Sequence, residues 1–166
     1  MLNLNKNIKI IATDFDGVLT DGYVYYSSVS DEEVKRISFK DIMGMSLAVK
    51  NGYKVAIISG EKNYIIDRLA AKFKLEDVHQ GIKDKLAALT SISEKYGVPL
   101  SEICYIGDDI NDILALEVVG AAVTVPQANY RVKQVPGVLI TQANAGDGVF
   151  REVIDSLLFL SSQVMQ

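Results

Sequence analysis

Short apolar runs alternate with stretches whose apolar residues recur at helical spacing. Ile8–Thr13 (IKIIAT), Lys54–Ser59 (KVAIIS), Glu102–Gly107 (EICYIG), Ala121–Val125 (AAVTV) and Gly137–Thr141 (GVLIT) are rich in Val and Ile and apolar on both faces, the pattern of buried parallel strands. Asp77–Gly81 (DVHQG) is a shorter candidate. Between them lie predicted helices. The first follows Asp41, as its N-cap, and stops near Gly52. The second covers about Asn63 to Phe73, with Ile65, Ile66, Leu69 and Phe73 on one face. The third starts near Lys83 and stops at Gly97 and Pro99. The fourth runs from near Asn111 to Gly120. The last runs from Val149 to about Leu160, with Phe150, Val153, Ile154, Leu157 and Leu158 as its apolar face. Alternating strand and helix predicts an α/β fold: a doubly wound, mostly parallel sheet with helices on both faces. Ligands of such sheets bind beyond the carboxyl ends of the strands.

One segment breaks the alternation. Gly22–Phe39 carries two β-prone arms, YVYYS and EVKRISF, around a polar centre, and reads as a hairpin inserted after the first strand. The length of 166 residues predicts one domain over 1–166. A net charge of −4, with no dense basic stripe, argues against a nucleic-acid partner. No apolar run approaches membrane-spanning length, so no membrane partner is expected. The N-terminal MLNLNKNIKIIATD lacks the apolar segment and cleavage site of a secretory signal, and the one cysteine, Cys104, lies in an apolar run. Both point to a cytoplasmic location. His79, the single histidine, and Met43 and Met45 read as packing residues.

The chemistry gathers at strand ends. IIATDFDGVLTDG places Asp14, Asp16 and Asp21 directly behind an apolar strand, where crowded carboxylates repel one another and lose hydration. A bound cation would offset that cost. Ser59 and Gly60 close a second strand, Lys85 opens a helix, and GDDIND (Gly107–Asp112) follows a third strand. The doubly wound fold brings these clusters together. Together they form a phosphoryl-transfer set: Asp14 and Asp108 to hold Mg²⁺, which favours a few carboxylates plus substrate phosphate, and a carboxylate able to attack phosphorus. A second carboxylate two residues on can protonate the leaving oxygen and then activate water. A serine, backbone N–H groups and a lysine can hold the phosphoryl oxygens. Taken singly, each has a plain alternative. An aspartate at a strand-to-helix turn is often an N-cap, Asp109 or Asp112 can simply cap the helix at NDILAL, and Lys85 alone is an ordinary surface lysine.

DFDGVLTDG, ISG, DKL and GDDIND, in that order, resemble the four motifs of the haloacid dehalogenase superfamily of phosphatases. The hairpin, DIMGMSLAVKNGYKVAIISGEK, QGIKDKL, YIGDDIND and the Gly-rich NAGDGVFREV resemble its capless branch acting on 3-deoxy-octulosonate 8-phosphate and nonulosonate (KDN or N-acetylneuraminate) 9-phosphates. The resemblance implies Asp14 as nucleophile and Mg²⁺ ligand, Asp16 as acid/base with its backbone carbonyl on the metal, and Asp108 as the third ligand. It implies Ser59, Gly60 and Lys85 on the phosphoryl group, and Asp109, Asn111 and Asp112 as supports, Asp112 by orienting Lys85 or a metal-bound water. A homotetramer is implied, in which hairpins pair and roof neighbouring sites, with the loop from residue 144 as a gate and Arg151 near the anionic substrate. Glu61 and Lys62 after ISG resemble the nine-carbon branch, where octulosonate 8-phosphate members carry Arg in place of Glu61. The expectation is therefore a nonulosonate 9-phosphate phosphatase, with the eight-carbon acid as the alternative; Lys72 is a candidate for the sugar carboxylate. Two other classes stand beside it. A receiver-type phospho-acceptor domain shares the acidic pocket but pairs its acids on the first strand and accepts phosphate on a middle one. A non-catalytic assembly domain has no need of the carboxylates kept here.

Overall fold

A computed structural model describes residues 1–4, 7–30 and 33–162. Six parallel strands form the sheet: β1 (Ile10–Thr13), β4 (Lys54–Ser59), β5 (Asp77–Gln80), β6 (Ile103–Ile106), β7 (Ala121–Thr124) and β8 (Leu139–Ile140). Their order is β5-β4-β1-β6-β7-β8. β1, β6 and β7 are buried along their whole length, which is why they carry apolar residues on both faces. The helices are α1 (Phe39–Lys50), α2 (Tyr64–Phe73), α3 (Lys85–Tyr96), α4 (Ile113–Leu116) and α5 (Val149–Ser162). The chain winds outward from β1 through β4 to β5, then returns to β6 and winds the other way. Right-handed crossovers then put α1 and α2 on one face and α3 and α4 on the other. α1 packs against α2 and α5, and α3 against α4. The reversal lies beside β1, so the crevice beyond its carboxyl end is the natural ligand position.

Two helix boundaries differ from expectation. The N-cap of α1 is Ser38, whose side chain accepts from Lys40 N–H, and not Asp41. Asp41 sits in the first turn facing inward, where its carboxylate accepts the N–H groups of Gly148 and Arg151, each at 3.1 Å. It satisfies the otherwise unpaired N-terminal donors of α5 and ties two helices together. The predicted helix from Asn111 to Gly120 is instead a 3₁₀ turn, Ile110–Asp112, followed by the single turn of α4. Val118 and Val119 are poor helix formers, and Gly120 closes the segment because a Cβ there would lie 1.8 Å from the Ser101 carbonyl oxygen. The hairpin is present as β2 (Tyr25–Tyr26) paired antiparallel with β3 (Glu33–Val34), continued by a bridge between Thr20 and Ile37. Residues 31 and 32 of its polar centre lie outside the described residues. Cys104 is buried, as expected of a core thiol. No described helix is long and apolar enough to cross a membrane.

Candidate active site

Parallel pairing of β1 with β4 and β6 sets Thr13 opposite Ile57 and Ile106. The Asp14 N–H then bonds the Ile106 carbonyl at 2.8 Å, placing the Asp14 side chain at the shared carboxyl end of three strands. Beyond Asp14 the chain turns at once: Leu19 and Thr20 N–H groups both return to the Phe15 carbonyl, and buried Phe15, Val18 and Leu19 anchor the turn. Gly17 takes φ +76° in this turn, a left-handed conformation that favours glycine. It also lies against Asp108: a Cβ at residue 17 would sit 2.1 Å from an Asp108 carboxylate oxygen.

Lys85, the first residue of α3, has a fully buried side chain. Its Nζ donates to Asp14 Oδ2 at 2.6 Å and to Asp112 Oδ1 at 2.7 Å. Asp112 is the hub of the cluster. Its Oδ1 also accepts the Tyr105 hydroxyl at 2.6 Å, and its Oδ2 accepts the backbone N–H groups of Asp108 and Asp109. Asp112 thus holds Lys85 and shapes the loop that presents Asp108. Ligand atoms of Asp14, Asp108 and Asp112 all lie within 4.8 Å of one another, against one ammonium. That imbalance shows in the acidities. Burial, reinforced by Asp112, pushes Asp14 up to about 7 despite the pull of Lys85. Burial, reinforced by Asp14, Asp112 and Asp109, pushes Asp108 up to about 8. Burial also works against the Lys85 charge, but Asp14 and Asp112 outweigh it and hold the ammonium above its ordinary pKa. Three crowded, partly desolvated carboxylates with one compensating charge suit a divalent cation on oxygen ligands.

The other expected residues divide. Ser59 is buried at the end of β4, and its Oγ accepts the Glu61 N–H at 3.2 Å. Asn111 approaches Gly60, its amide nitrogen 3.8 Å from where a Cβ on Gly60 would stand. Asp16 lies just outside the buried cluster with a third of its side chain exposed, and Lys35 donates to its Oδ1 at 2.8 Å. Asp109 turns away to cap the 3₁₀ turn through Ile110 N–H, as the plain reading allowed. Glu61 and Lys62 are exposed, and Lys62 lies across Gly81. Lys72 lines a groove with Phe39, Tyr64 and Arg68 rather than the carboxylate cluster. The Arg151 guanidinium is held by Asp155, one turn along α5, with Nε 2.8 Å from both carboxylate oxygens.

Sequence reasoning missed Tyr105, Thr20 and Lys35. Tyr105 carried a signal, since a hydroxyl in a fully buried strand needs a polar partner. Lys35 carried one too: strand alternation puts Glu33, Lys35 and Ile37 on one face, and all three are half-buried, while Val34 and Arg36 between them are exposed.

A family model for haloacid dehalogenase-like hydrolases matches residues 71–153. The 3-deoxy-D-manno-octulosonate 8-phosphate phosphatase KdsC of Escherichia coli is 32% identical over 96% of this chain and 84% of its own length. The chain belongs to the haloacid dehalogenase-like hydrolases. Among solved structures, the octulosonate 8-phosphate phosphatase of Moraxella catarrhalis, in complex with magnesium, phosphate and KDO, superposes with a TM-score of 0.87 at 33% identity, over 97% of this chain and 95% of that one. The cobalt-bound enzyme of Haemophilus influenzae gives a TM-score of 0.87 at 30% identity, over 95% and 91%. The fold is thus the Rossmann-like sheet of this hydrolase family.

Proposed function

We propose that this hydrolase is a Mg²⁺-dependent phosphatase of 3-deoxy-D-manno-octulosonate 8-phosphate, working through an aspartyl phosphate on Asp14. Similarity to enzymes of that name across 96% of the chain carries the substrate, together with a Moraxella catarrhalis relative holding magnesium, phosphate and KDO. This favours the eight-carbon acid over the nine-carbon reading drawn from Glu61 and Lys62. Those are two exposed side chains, set against likeness along nearly the whole chain.

Asp14 and Asp108 side chains, with the Asp16 backbone carbonyl, would hold the metal ion, which when bound neutralises phosphoryl charge and relieves the carboxylate crowding. In the first half-reaction a bond forms between an Asp14 oxygen and phosphorus as the bond to the sugar oxygen breaks, and Asp16 gives that oxygen a proton. In the second, Asp16 takes a proton from water as the water oxygen bonds phosphorus and the Asp14–phosphorus bond breaks. Ser59, the Gly60 backbone and Lys85 bind the phosphoryl oxygens. The apolar hairpin face, with Tyr26 78% and Val29 94% exposed, supports self-association of the kind the sequence resemblance implied.

The kinetic test compares kcat/KM for the eight-carbon acid phosphate with KDN 9-phosphate and N-acetylneuraminate 9-phosphate. A preference for the eight-carbon substrate is expected; a preference for either nine-carbon acid would overturn the assignment.

A second expectation concerns pH. Asp14 and Asp108 bind protons more tightly in the fold than at the ordinary value of 3.8. With more protons on the folded state, their contribution to stability falls as pH rises toward about 8. A cation that binds the ionised pair reverses this loss. The rise in melting temperature on adding Mg²⁺ to chelator-treated protein should therefore grow between about pH 6 and pH 8. A Mg²⁺ shift independent of pH would contradict the carboxylate site.

A further inference from the structure

Lys35 enters the site from the hairpin. Its side chain is 4% exposed, although it belongs to an arm whose neighbours Val34 and Arg36 face solvent. The ammonium lies between two carboxylates, Asp16 Oδ1 at 2.8 Å and Glu33 Oε1 at 3.3 Å, and 6.0 Å from the centroid of the Phe15 ring. Glu33 Oε1 also accepts from Asn63 Nδ2 at 3.3 Å. Asn63 is itself fixed: it caps α2 through Ile65 N–H, and its own N–H bonds the Gln80 side chain at 2.7 Å. A continuous polar chain therefore runs from the N-terminus of α2, through the hairpin, to Asp16.

Among the described residues, the hydrogen bonds on the Asp16 side chain are one-sided. Lys35 and Thr20 Oγ1, the latter at 3.4 Å, both meet Oδ1. With Oδ1 occupied as an acceptor, Oδ2 is the oxygen left to exchange a proton with the substrate or water. Free rotation about the carboxylate axis would otherwise interchange the two oxygens in a side chain that is a third exposed.

We propose that Lys35 is the positioning residue for Asp16, held in place by Glu33 and Asn63, so that the hairpin aims Oδ2 at the leaving oxygen. The inference rests on the phosphatase reading, in which Asp16 passes the proton. It makes the hairpin part of the chemistry within one chain, apart from any role in assembly.

A misaimed acid matters only when the leaving oxygen needs a proton. Basic alkoxides do, whereas p-nitrophenolate leaves readily without one. The test is kcat/KM for the octulosonate 8-phosphate and for aryl phosphates of graded leaving-group basicity, in the parent protein, Lys35→Met, Lys35→Arg and Glu33→Gln. Lys35→Met should lose about tenfold to a hundredfold on the sugar phosphate and little on p-nitrophenyl phosphate, with a steeper dependence on leaving-group basicity. Lys35→Arg, which keeps a donor, should restore most of the loss. Glu33→Gln should move the slope in the same direction by less. In the Asp16→Asn background Lys35→Met should change the slope no further, because the two act as one unit.

An equal loss on all substrates, no loss, or a raised KM for the sugar acid with an unchanged slope would each overturn the proposal. Should Lys35→Met fail to fold, Lys35→Arg and Glu33→Gln still decide it, since an unchanged slope in both overturns it. A parent protein that releases phosphate from none of these esters would instead refute the phosphatase reading.

Discussion

Asp14→Asn is expected to lower phosphate release by about four orders of magnitude or more, the scale at which removal of a covalent nucleophile registers. The amide has the same shape but is a far poorer nucleophile toward phosphorus. It also removes one of three negative charges from the carboxylate cluster and alters the hydrogen bond that Lys85 Nζ gives to Oδ2 at 2.6 Å. The fold should survive, because β1 and its pairing to β4 and β6 do not depend on that charge. Burial of a carboxylate whose pKa stands near 7 costs the metal-free protein stability, so the variant should melt no lower than the parent in chelator at pH 8. Steady-state phosphate release together with thermal melting checks both halves. Near-parental turnover by a folded Asp14→Asn protein would contradict the covalent route.

Gly17→Ala carries the other large effect, and it does so without replacing a charged residue. The position has φ +76°, where a Cβ costs about 1 to 2 kcal/mol. The greater penalty is steric: the new methyl would lie 2.1 Å from one Asp108 carboxylate oxygen and 2.6 Å from its carboxyl carbon. Asp108 or the turn that carries Asp16 has to move, and either displaces an expected metal ligand. A shift of about 1 Å is enough to cost a hundredfold in rate. Mg²⁺ affinity should fall in the same variant, read as the concentration needed for half-maximal activity and as loss of the Mg²⁺-induced melting shift. Gly52→Ala is the control for the φ penalty alone, since φ there is +83° and nothing lies within 4 Å of the added Cβ. It should lose stability of similar size and keep its turnover.

The sheet was readable because each buried strand is a short apolar run between polar punctuation, and three of the four chemical clusters lie where those runs end, the fourth, at Lys85, opening a helix. The boundaries that escaped were settled by tertiary partners. Asp41 has the residue type of an N-cap, and only the position of α5 shows that its carboxylate serves Gly148 and Arg151 instead. α4 stops after one turn, ahead of Val118 and Val119, and the close pass of the Ser101 backbone that requires glycine at Gly120 is a long-range contact the sequence does not show. Within the site, Asp14 and Asp108 were legible as charges behind apolar strands, whereas Lys85, which opens α3, stood out only through the DKL motif. The role of Asp112 was legible only in part, since its four hydrogen bonds to Lys85, Tyr105 and the Asp108–Asp109 backbone depend on how the loop after β6 closes. Arg151 was expected near the substrate from its place beyond the Gly-rich loop, and Lys72 as a partner for the sugar carboxylate; within one chain Arg151 pairs with Asp155 and Lys72 lines the groove of Phe39 and Tyr64. Substrate length hung on Glu61 and Lys62, two exposed side chains, whereas the relative matched along 96% of this chain is named for the shorter acid.

The most direct test of the account is chemical trapping of the intermediate. Protein mixed with Mg²⁺ and octulosonate 8-phosphate is quenched within one turnover and treated with borohydride, which reduces an acyl phosphate to an alcohol. Peptide mass mapping should then find homoserine in place of Asp14, at a yield that rises and decays with turnover, and no such product from Asp14→Asn. Active enzyme that gives no reduced residue, or gives it at Asp16, Asp108 or Asp112 instead, would contradict the assignment of Asp14 as the nucleophile.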